Sequence, residues 1–560
     1  MAPFTHFKKI LDGLHLRPTT ISAPVSELMK AVPLTPTVCQ WVSGLFSGAF
    51  FDQAPQREEP ISACNHPTKD GATPDLTENV DVDHQTAGDD QAEGIGDQEM
   101  TDADSESEDH DQNTGELQTK SSTDDDYVDR RDFDTIKAIQ DSAFEKLLLQ
   151  HIDPEGKLDV NKCQVEEHDG GSYHYVVFLS VEGHGRFVVK VPFSGTATWW
   201  QEGDAYNLRS EAQTMNFIRR NTSVPIPEVI AFDDSLDNAI AAPYILMRAI
   251  EGRVATHAWY GRTPNGQLDK SNADNPSLAT VQQRKRFLKN LAYTMAELRH
   301  LRFDKIGMLN FDGNAGVPEV GPWFEDMQDG QQLKEVPAYE SSKDFFQSKI
   351  DYVKDKCDGQ IDDLAYGIME VLKLAFGSSP ISSSKEKASD IQESFVLTHN
   401  DLDLQNIYVD DNFNIVGIID WDLTVTAPRC VGFSSFPVFL REDWDPDYDL
   451  ETAKHMPWSL AEYRMLYTGY MKQATSGPDG LGDGKYTSRS HMYYAAYSVG
   501  MYSAATQYFV ERICKELPLL RSLDHDTFLE NFGGESWTGS DRARTVLKRG
   551  LEMLFSAESE

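Results

Sequence analysis

The chain has 560 residues, 39% of them apolar and 25% charged, a composition that suits folded domains and a length too great for one hydrophobic core. Ninety-one Asp and Glu against 51 Lys and Arg leave a net charge of −40, which argues against non-specific nucleic-acid binding, because that affinity comes largely from Lys and Arg neutralising phosphates. Six scattered cysteines without a Cys-x-x-Cys pair suit a reducing compartment and offer no zinc or dithiol motif.

Residues 1–50 carry Lys8, Lys9, Arg17 and Lys30 against Asp12 and Glu27, with frequent Ser and Thr. That composition is weakly similar to an organelle transit peptide, which makes mitochondrial targeting the alternative to a cytoplasmic location with an ordinary terminus. The apolar stretch Val38 to Phe51 is interrupted by Gln40, Ser43, Gly44, Ser47 and Gly48 and is too short for a membrane helix of about 20 residues. No membrane span is expected, and the chain reads as soluble. Residues 51–130 hold 24 acidic and four basic side chains, half of the net charge, and read as a solvated, disordered linker.

Order is expected from residue 131. Phe133, Ile136, Ile139, Ala143 and Leu147 recur at helical spacing and predict one helix. An alternating run from Tyr173 to Val181, the turn Glu182-Gly183-His184-Gly185 and the run Phe187 to Val191, stopped by Pro192, predict a β-hairpin. A helix is expected over Leu208 to Arg219, ended by the prolines of Ser223-Val224-Pro225-Ile226-Pro227. Pro243 to Ile250 is a further apolar run. Beyond Gly252 the stretches Gly261 to Ser277 and Asp312 to Glu340 read as long polar loops. Helices are expected at Arg286 to Leu301, Phe345 to Tyr352, Ile361 to Ala375, Leu460 to Met471, Met492 to Leu517 and Arg542 to Leu554. A small β-rich region, 131–250, thus precedes a larger helical one, 251–556.

The segment Phe395 to Asp422 carries the most chemistry. Ile407 to Val409 and Ile415 to Ile419 can pair across Asp410-Asp411-Asn412, which makes Asn406 and Asp420 neighbours at one rim. A carboxylate and an amide oxygen there suit a hard cation such as Mg²⁺ that keeps water or phosphate oxygens as its other ligands. Asp401, five residues before Asn406, is placed as a catalytic base. Lys190, a cation in an apolar strand, suits nucleotide phosphates, and Glu211 on the next helix suits Lys190.

These residues resemble the aminoglycoside phosphotransferase family, a branch of the protein-kinase-like superfamily, in its fungal form. His399-Asn400-Asp401-Leu402-Asp403-Leu404-Gln405-Asn406 is similar to its catalytic loop, and Ile418-Ile419-Asp420-Trp421-Asp422 to its metal-binding Ile-Asp-Trp-Glu segment, in place of the Asp-Phe-Gly of protein kinases. Ser223 to Val229, Tyr244-Ile245-Leu246-Met247 with Glu251-Gly252, and Phe303-Asp304-Lys305-Ile306-Gly307 extend the likeness over Asp132 to Leu554. The resemblance implies an α+β, bilobal protein-kinase-like fold, with a small β-rich N-lobe and a larger, mainly helical C-lobe.

It also implies ATP and Mg²⁺ as cofactors and a small-molecule hydroxyl as acceptor. Asp401 would be the catalytic base, Asn406 and Asp420 the metal ligands, and Lys190, anchored by Glu211, the grip on the inner phosphates. Gly170, Gly171 and Ser172 resemble the loop over the phosphates, without the full Gly-x-Gly-x-x-Gly, and the connector from Met247 to Ile250, Met247 and Ala249 included, would meet the adenine.

Taken singly, several of these residues have plainer readings. Lys190 alone is an edge-strand lysine and Glu211 a solvated helix residue. Asp410, Asp411 and Asn412 are turn formers. His399 reads as a packing and hydrogen-bonding residue that holds the loop. Asp403 and Asp422 stand between site and satisfied loop carboxylate, and the acidic run Glu442 to Asp449 reads as solvated surface before it reads as a cation attractant. Two other functions stay open: a catalytically silent nucleotide-binding scaffold of the same fold, and a kinase acting on protein.

Overall fold

The structure, a computed structural model, describes residues 128–557 except 262–267, 270–272, 312–316, 328–329, 357–361, 379, 382–392, 478–481, 502 and 535–538. The targeting and linker readings for residues up to 127 lie outside the described residues. Arg130, the last residue of the expected linker, is only 7% exposed and belongs to the folded lobe.

The first lobe opens with α1 (Phe133–Lys137) and α2 (Asp141–Ile152). One helix was expected here. The helical spacing records which side chains face the lobe, and it runs on across a break: the Asp132 carboxylate caps α1 at Thr135 N–H, Ala138 closes it, and α2 restarts after Gln140. Strands β1 (Cys163–Gly170), β2 (His174–Val181) and β3 (Gly185–Pro192) follow. After helix α3 (Glu202–Asn221) come β4 (Val229–Asp233) and β5 (Tyr244–Arg248). These strands form one antiparallel sheet in the order β1-β2-β3-β5-β4.

The expected hairpin is β2–β3, with Val177 opposite Val189. Its turn is closed by His184 N–H on the Val181 carbonyl, with Gly183 and Gly185 at φ of 81° and 89°, a region that glycine enters without strain. Strand β1, Cys-Gln-Val-Glu-Glu-His-Asp-Gly, is polar because it is the exposed edge, and so it carries little strand signal. On one face of the sheet Val177, Leu179, Phe187 and Val189 pack with Phe144, Leu147 and Leu148 of α2, all at most 1% exposed. Such burial stabilises by about 1.5–3 kcal/mol per side chain.

The second lobe begins with β6 (Arg253–Val254), α4 (Ala255–Tyr260) and α5 (Leu278–Ala296). Phe287, Leu291, Met295 and Leu298 are buried together, as their spacing predicts. The polar stretch expected as a loop contains β8 (Glu319–Gly321), which pairs with β7 (Gly307–Asn310), and the hairpin β9 (Trp323–Asp326) with β10 (Leu333–Val336). That hairpin is polar because it is half exposed and packs on α3: a Cβ on Gly203 would lie 2.8 Å from Phe324 and Leu333.

Helices α6 (Ser342–Asp355) and α7 (Asp363–Phe376) precede strands β11 (Val396–Thr398), β12 (Ile407–Val409), β13 (Ile415–Ile418) and β14 (Val425–Ala427). Then come α8 (Pro457–Thr475), α9 (Ser490–Ser498), α10 (Ser503–Glu516), α11 (His525–Gly533) and α12 (Ser540–Leu554). A single helix was expected from Met492 to Leu517. It is broken at Val499 to Met501, where Gly500 takes φ 83°, a left-handed conformation that ends a helix. A β-rich lobe and a larger helical lobe make the chain α+β and bilobal.

Candidate active site

Strand periodicity sets up the site. In β3, Phe187, Val189 and Val191 point into the α1–α2 core, so Lys190 points to the opposite face, towards α3. β3 lies inside the sheet, between β2 and β5, so the edge-strand reading of Lys190 does not apply. Glu211, on the inward face of α3, is 5% exposed instead of solvated. Lys190 Nζ donates to Glu211 Oε1 at 2.7 Å and to Asp420 Oδ1 at 2.9 Å.

Asp420 follows β13 with φ 63°, a left-handed conformation that aspartate tolerates better than most residues. The hairpin delivers it there: Ile407 lies opposite Ile418, and Ile419 N–H donates to the Asn406 carbonyl at 3.0 Å. Ile418 N–H in turn donates to the Pro225 carbonyl at 2.9 Å, so the proline segment after α3 anchors the strand that leads to Asp420. Asn406, 6% exposed, donates through Nδ2 to the Asp401 carbonyl and to Asp401 Oδ2, both at 2.9 Å. That orientation leaves its amide oxygen for another partner.

His399 Nε2 donates to the Ile419 carbonyl at 2.9 Å while its ring meets Trp421 edge-on at 4.7 Å. Burial lowers its pKa, so a neutral imidazole ties the Asp401 loop to the Asp420 segment. This is the structural role expected of it. Burial also opposes the charge on Lys190, but Glu211, Asp422 and Asp420 outweigh it and hold its pKa above the ordinary value. Asp420 is likewise opposed by burial and held below the usual carboxylate range by Lys190.

Asp422 is 3.6 Å from His174 Nε2, at the start of β2. Burial and Lys190 push His174 down to about 4, so it is neutral near pH 7. No sequence signal marked His174. Asp403 accepts from Leu404 N–H and caps the turn before Asn406, a loop role. Gly170, Gly171 and Ser172 form the β1–β2 turn: Gly171 N–H bonds the His174 carbonyl, and the Ser172 carbonyl accepts from Arg131. Met247 is buried in β5 opposite Val188, and Ala249, just beyond it, gives its N–H to the Arg186 carbonyl at 3.1 Å. No hydrogen bond among the described residues joins these five to Lys190, Asp401, Asn406 or Asp420.

A cleft of about 510 Å³ opens beside Asp401. The acidic run, expected as solvated surface, contributes Glu442, Asp445, Asp447 and Asp449 to its lining, whereas Asp443 is buried against Arg464. Burial pushes Glu442 up to about 7, helped by Asp403 and Asp443 against Lys454. Arg441 Nη2 and the Tyr494 hydroxyl both donate to the Asn400 carbonyl at 3.3 Å and so hold the residue before Asp401. Neither residue stands in a motif, and both were passed over in the sequence.

The model of the phosphotransferase enzyme family matches residues 164–463, a stretch that contains Lys190, Glu211, Asp401, Asn406 and Asp420. The chain belongs to that family. Among curated proteins it is similar to altered inheritance of mitochondria protein 9, mitochondrial, of Komagataella phaffii, 28% identical over 168 residues, 29% of this chain and 25% of that protein. The Clavispora lusitaniae protein of the same name is 21% identical over 326 residues, 50% of this chain and 51% of that protein. The chain thus spans between a quarter and about half of the length of these relatives.

Among solved structures, a ternary complex of a thermostable aminoglycoside phosphotransferase APH(4)-Ia mutant with ADP and hygromycin B is 12% identical, with a TM-score of 0.35 over 73% of this chain and 98% of that one. Choline kinase from Cryptosporidium parvum gives 12% and 0.35 over 73% and 99%. This phosphotransferase-family chain has, among its described residues, no helix long and apolar enough to cross a membrane.

Proposed function

We propose that the chain transfers the γ-phosphoryl group of ATP, with Mg²⁺, to a hydroxyl of a small molecule. The observation that carries this reading is the convergence of Glu211 and Asp420, 21 and 230 residues from Lys190 in sequence, on one ammonium group. Asp420 and the amide oxygen of Asn406 have the donor chemistry for a hard cation and would hold it. When bound, that cation supplies charge neutralisation on the phosphate oxygens.

The chain's own residues do the rest. Lys190, kept protonated and extended by Glu211, binds the inner phosphates. Asp401 accepts the proton of the acceptor hydroxyl at Oδ1, while its Oδ2 is held by Asn406. His399, Arg441 and Tyr494 fix the loop in which Asp401 sits, so that little reorganisation is left for the reacting state. The cleft beside Asp401 receives the acceptor. A cytoplasmic location remains our reading. The word mitochondrial in the relatives' names favours import as the second, and localisation of fusions with and without residues 1–50 decides between them.

The test is a metabolite-wide phosphorylation screen with purified protein, Mg·ATP and Asp401→Asn as control. Phosphate transfer to a low-molecular-weight alcohol, lost in the control, is the expected result. Mg·ATP binding without transfer to any acceptor supports the scaffold reading instead, and labelled protein in a lysate supports a protein kinase.

A further inference from the structure

The helix that carries Glu211 is braced from outside by a residue that precedes the whole β-lobe. Arg130 is 7% exposed and spends four hydrogen bonds there. Its Nη1 donates to Asp204 Oδ2 at 2.7 Å and to the Trp199 carbonyl at 3.1 Å, and its Nη2 to Asp204 Oδ1 at 3.1 Å and to Asp326 Oδ1 at 2.8 Å. Asp204 lies in the first turn of α3, where its Oδ2 also accepts from Gln201 N–H at 3.0 Å. It stands seven residues before Glu211, about two turns, so the two carboxylates lie along one side of the helix. A groove of about 370 Å³ runs along that side, with Arg130 and Asp204 as well as Glu211 and Asp422 in its walls.

Asp326 belongs to β9, whose hairpin also meets α3 through Asn207 Nδ2 on the Phe324 carbonyl at 3.0 Å. The guanidinium therefore joins the start of α3, the loop before it and the β9–β10 hairpin through one planar fork, which lysine cannot reproduce. Its neighbour Arg131 donates to the Ser172 carbonyl at 3.0 Å and lies over the Tyr173 ring. One dipeptide thus reaches both the Glu211 helix and the β1–β2 turn.

We propose that Arg130 is a positioning residue for the phosphoryl-transfer site: by gripping Asp204 it fixes the rotation and depth of α3, and so brings Glu211 to Lys190. This rests on the reading of Lys190 and Glu211 under Proposed function. Arg130 touches neither substrate nor cofactor, and its effect travels along one rigid helix.

The full-length chain, Arg130→Met, Arg130→Lys and Arg429→Met are compared. Arg429 makes a similar buried pair with Asp483 in the helical lobe and serves as the control for lost stability. Well below their melting temperatures, the Kd for Mg·ATP is measured by calorimetry, and amide exchange of residues 202–221 by mass spectrometry. Arg130→Met should weaken Mg·ATP binding by about tenfold and speed exchange in α3, with Arg130→Lys intermediate, whereas Arg429→Met leaves the Kd within about twofold.

Equal affinities for Arg130→Met and wild type, or an equal loss in Arg429→Met, overturn the proposal. Should Arg130→Met fail to fold, Arg130→Lys carries the same comparison. Failure of the wild type itself to bind Mg·ATP overturns the functional reading instead, and the proposal is then decided by exchange: unchanged protection of α3 in the Arg130 variants sinks it.

Discussion

Replacing Lys190 by methionine probes the site where it is driest. In the wild type Nζ faces Glu211 and Asp420, whose side chains are 4% and 36% exposed. Solvent screens much of what Asp420 loses, so the cost falls on Glu211. Breaking a buried pair while one charge stays behind costs about 3–5 kcal/mol. Glu211 can avoid part of that by taking up a proton, because burial already pushes its carboxyl up against the pull of Lys190.

A carboxyl whose folded pKa lies above its unfolded value, about 4.3, destabilises nothing below that value and progressively more as pH rises through the folded pKa. The gap between wild type and Lys190→Met should therefore be small near about pH 5 and reach about 3 kcal/mol by about pH 8. Urea unfolding followed by tryptophan fluorescence measures it as a shift in midpoint at constant slope. The double variant Lys190→Met/Glu211→Leu replaces the pair by apolar groups and should regain most of the stability at the higher pH, while Mg·ATP binding stays lost. A gap that does not change with pH, or a double variant that binds Mg·ATP like the wild type, would refute the reasoning.

Asp401→Asn should leave Mg·ATP affinity unchanged, since an amide oxygen can still accept from Asn406 Nδ2, and should lower transfer by about 10²–10⁴-fold in a single-turnover assay; unaltered turnover removes Asp401 from the chemistry. Asp420→Ala should abolish the metal-dependent part of nucleotide binding in calorimetry with and without chelator. Its left-handed backbone adds a stability loss of about 1–2 kcal/mol, visible in the melting temperature.

His455 is fully buried, accepts from Trp259 Nε1 at 2.8 Å and is pushed down to about 4 by burial and Arg284. Because its folded pKa lies below the unfolded value of about 6.5, the unfolded chain binds the extra proton, and stability is lost as pH falls from that value towards about 4. The loss should reach about 2 kcal/mol near about pH 5 and shrink in His455→Gln, as denaturant midpoints across that range report; an unchanged slope removes His455 from the acid response.

The β12–β13 hairpin was legible because its signals are local: alternation in Ile407 to Val409 and Ile415 to Ile418 fixes which residues pair, and pairing sets Asn406 against Ile419, the residue before Asp420. The β2–β3 hairpin was legible for the same reason, as was the apolar face of α5. Breaks in helical runs were not. The spacing of Phe133 to Leu147 is indifferent to the break at Ala138, and Gly500 ends α9 inside an apolar stretch, because periodicity encodes the buried face and not the continuity of the backbone. Strands β1, β9 and β10 were hidden by their polarity, since an edge or a half-exposed hairpin needs few apolar residues.

By itself, then, the sequence singled out Lys190, Glu211, Asp401, Asn406 and Asp420 as the proposed site residues, and fixed the local strand pairing that brackets Asn406 and Asp420. Only the tertiary structure decided that Lys190 is interior to its sheet, that Asp420 returns to it from the other lobe, that His174 faces Asp422 while Arg441 and Tyr494 hold the Asn400 carbonyl, and that Arg130 grips α3 from the far side. The reason is physical. Turn chemistry and side-chain period act over a few residues, whereas the contacts that make a charge buried, paired and oriented join segments tens to hundreds of residues apart, and only packing brings those together.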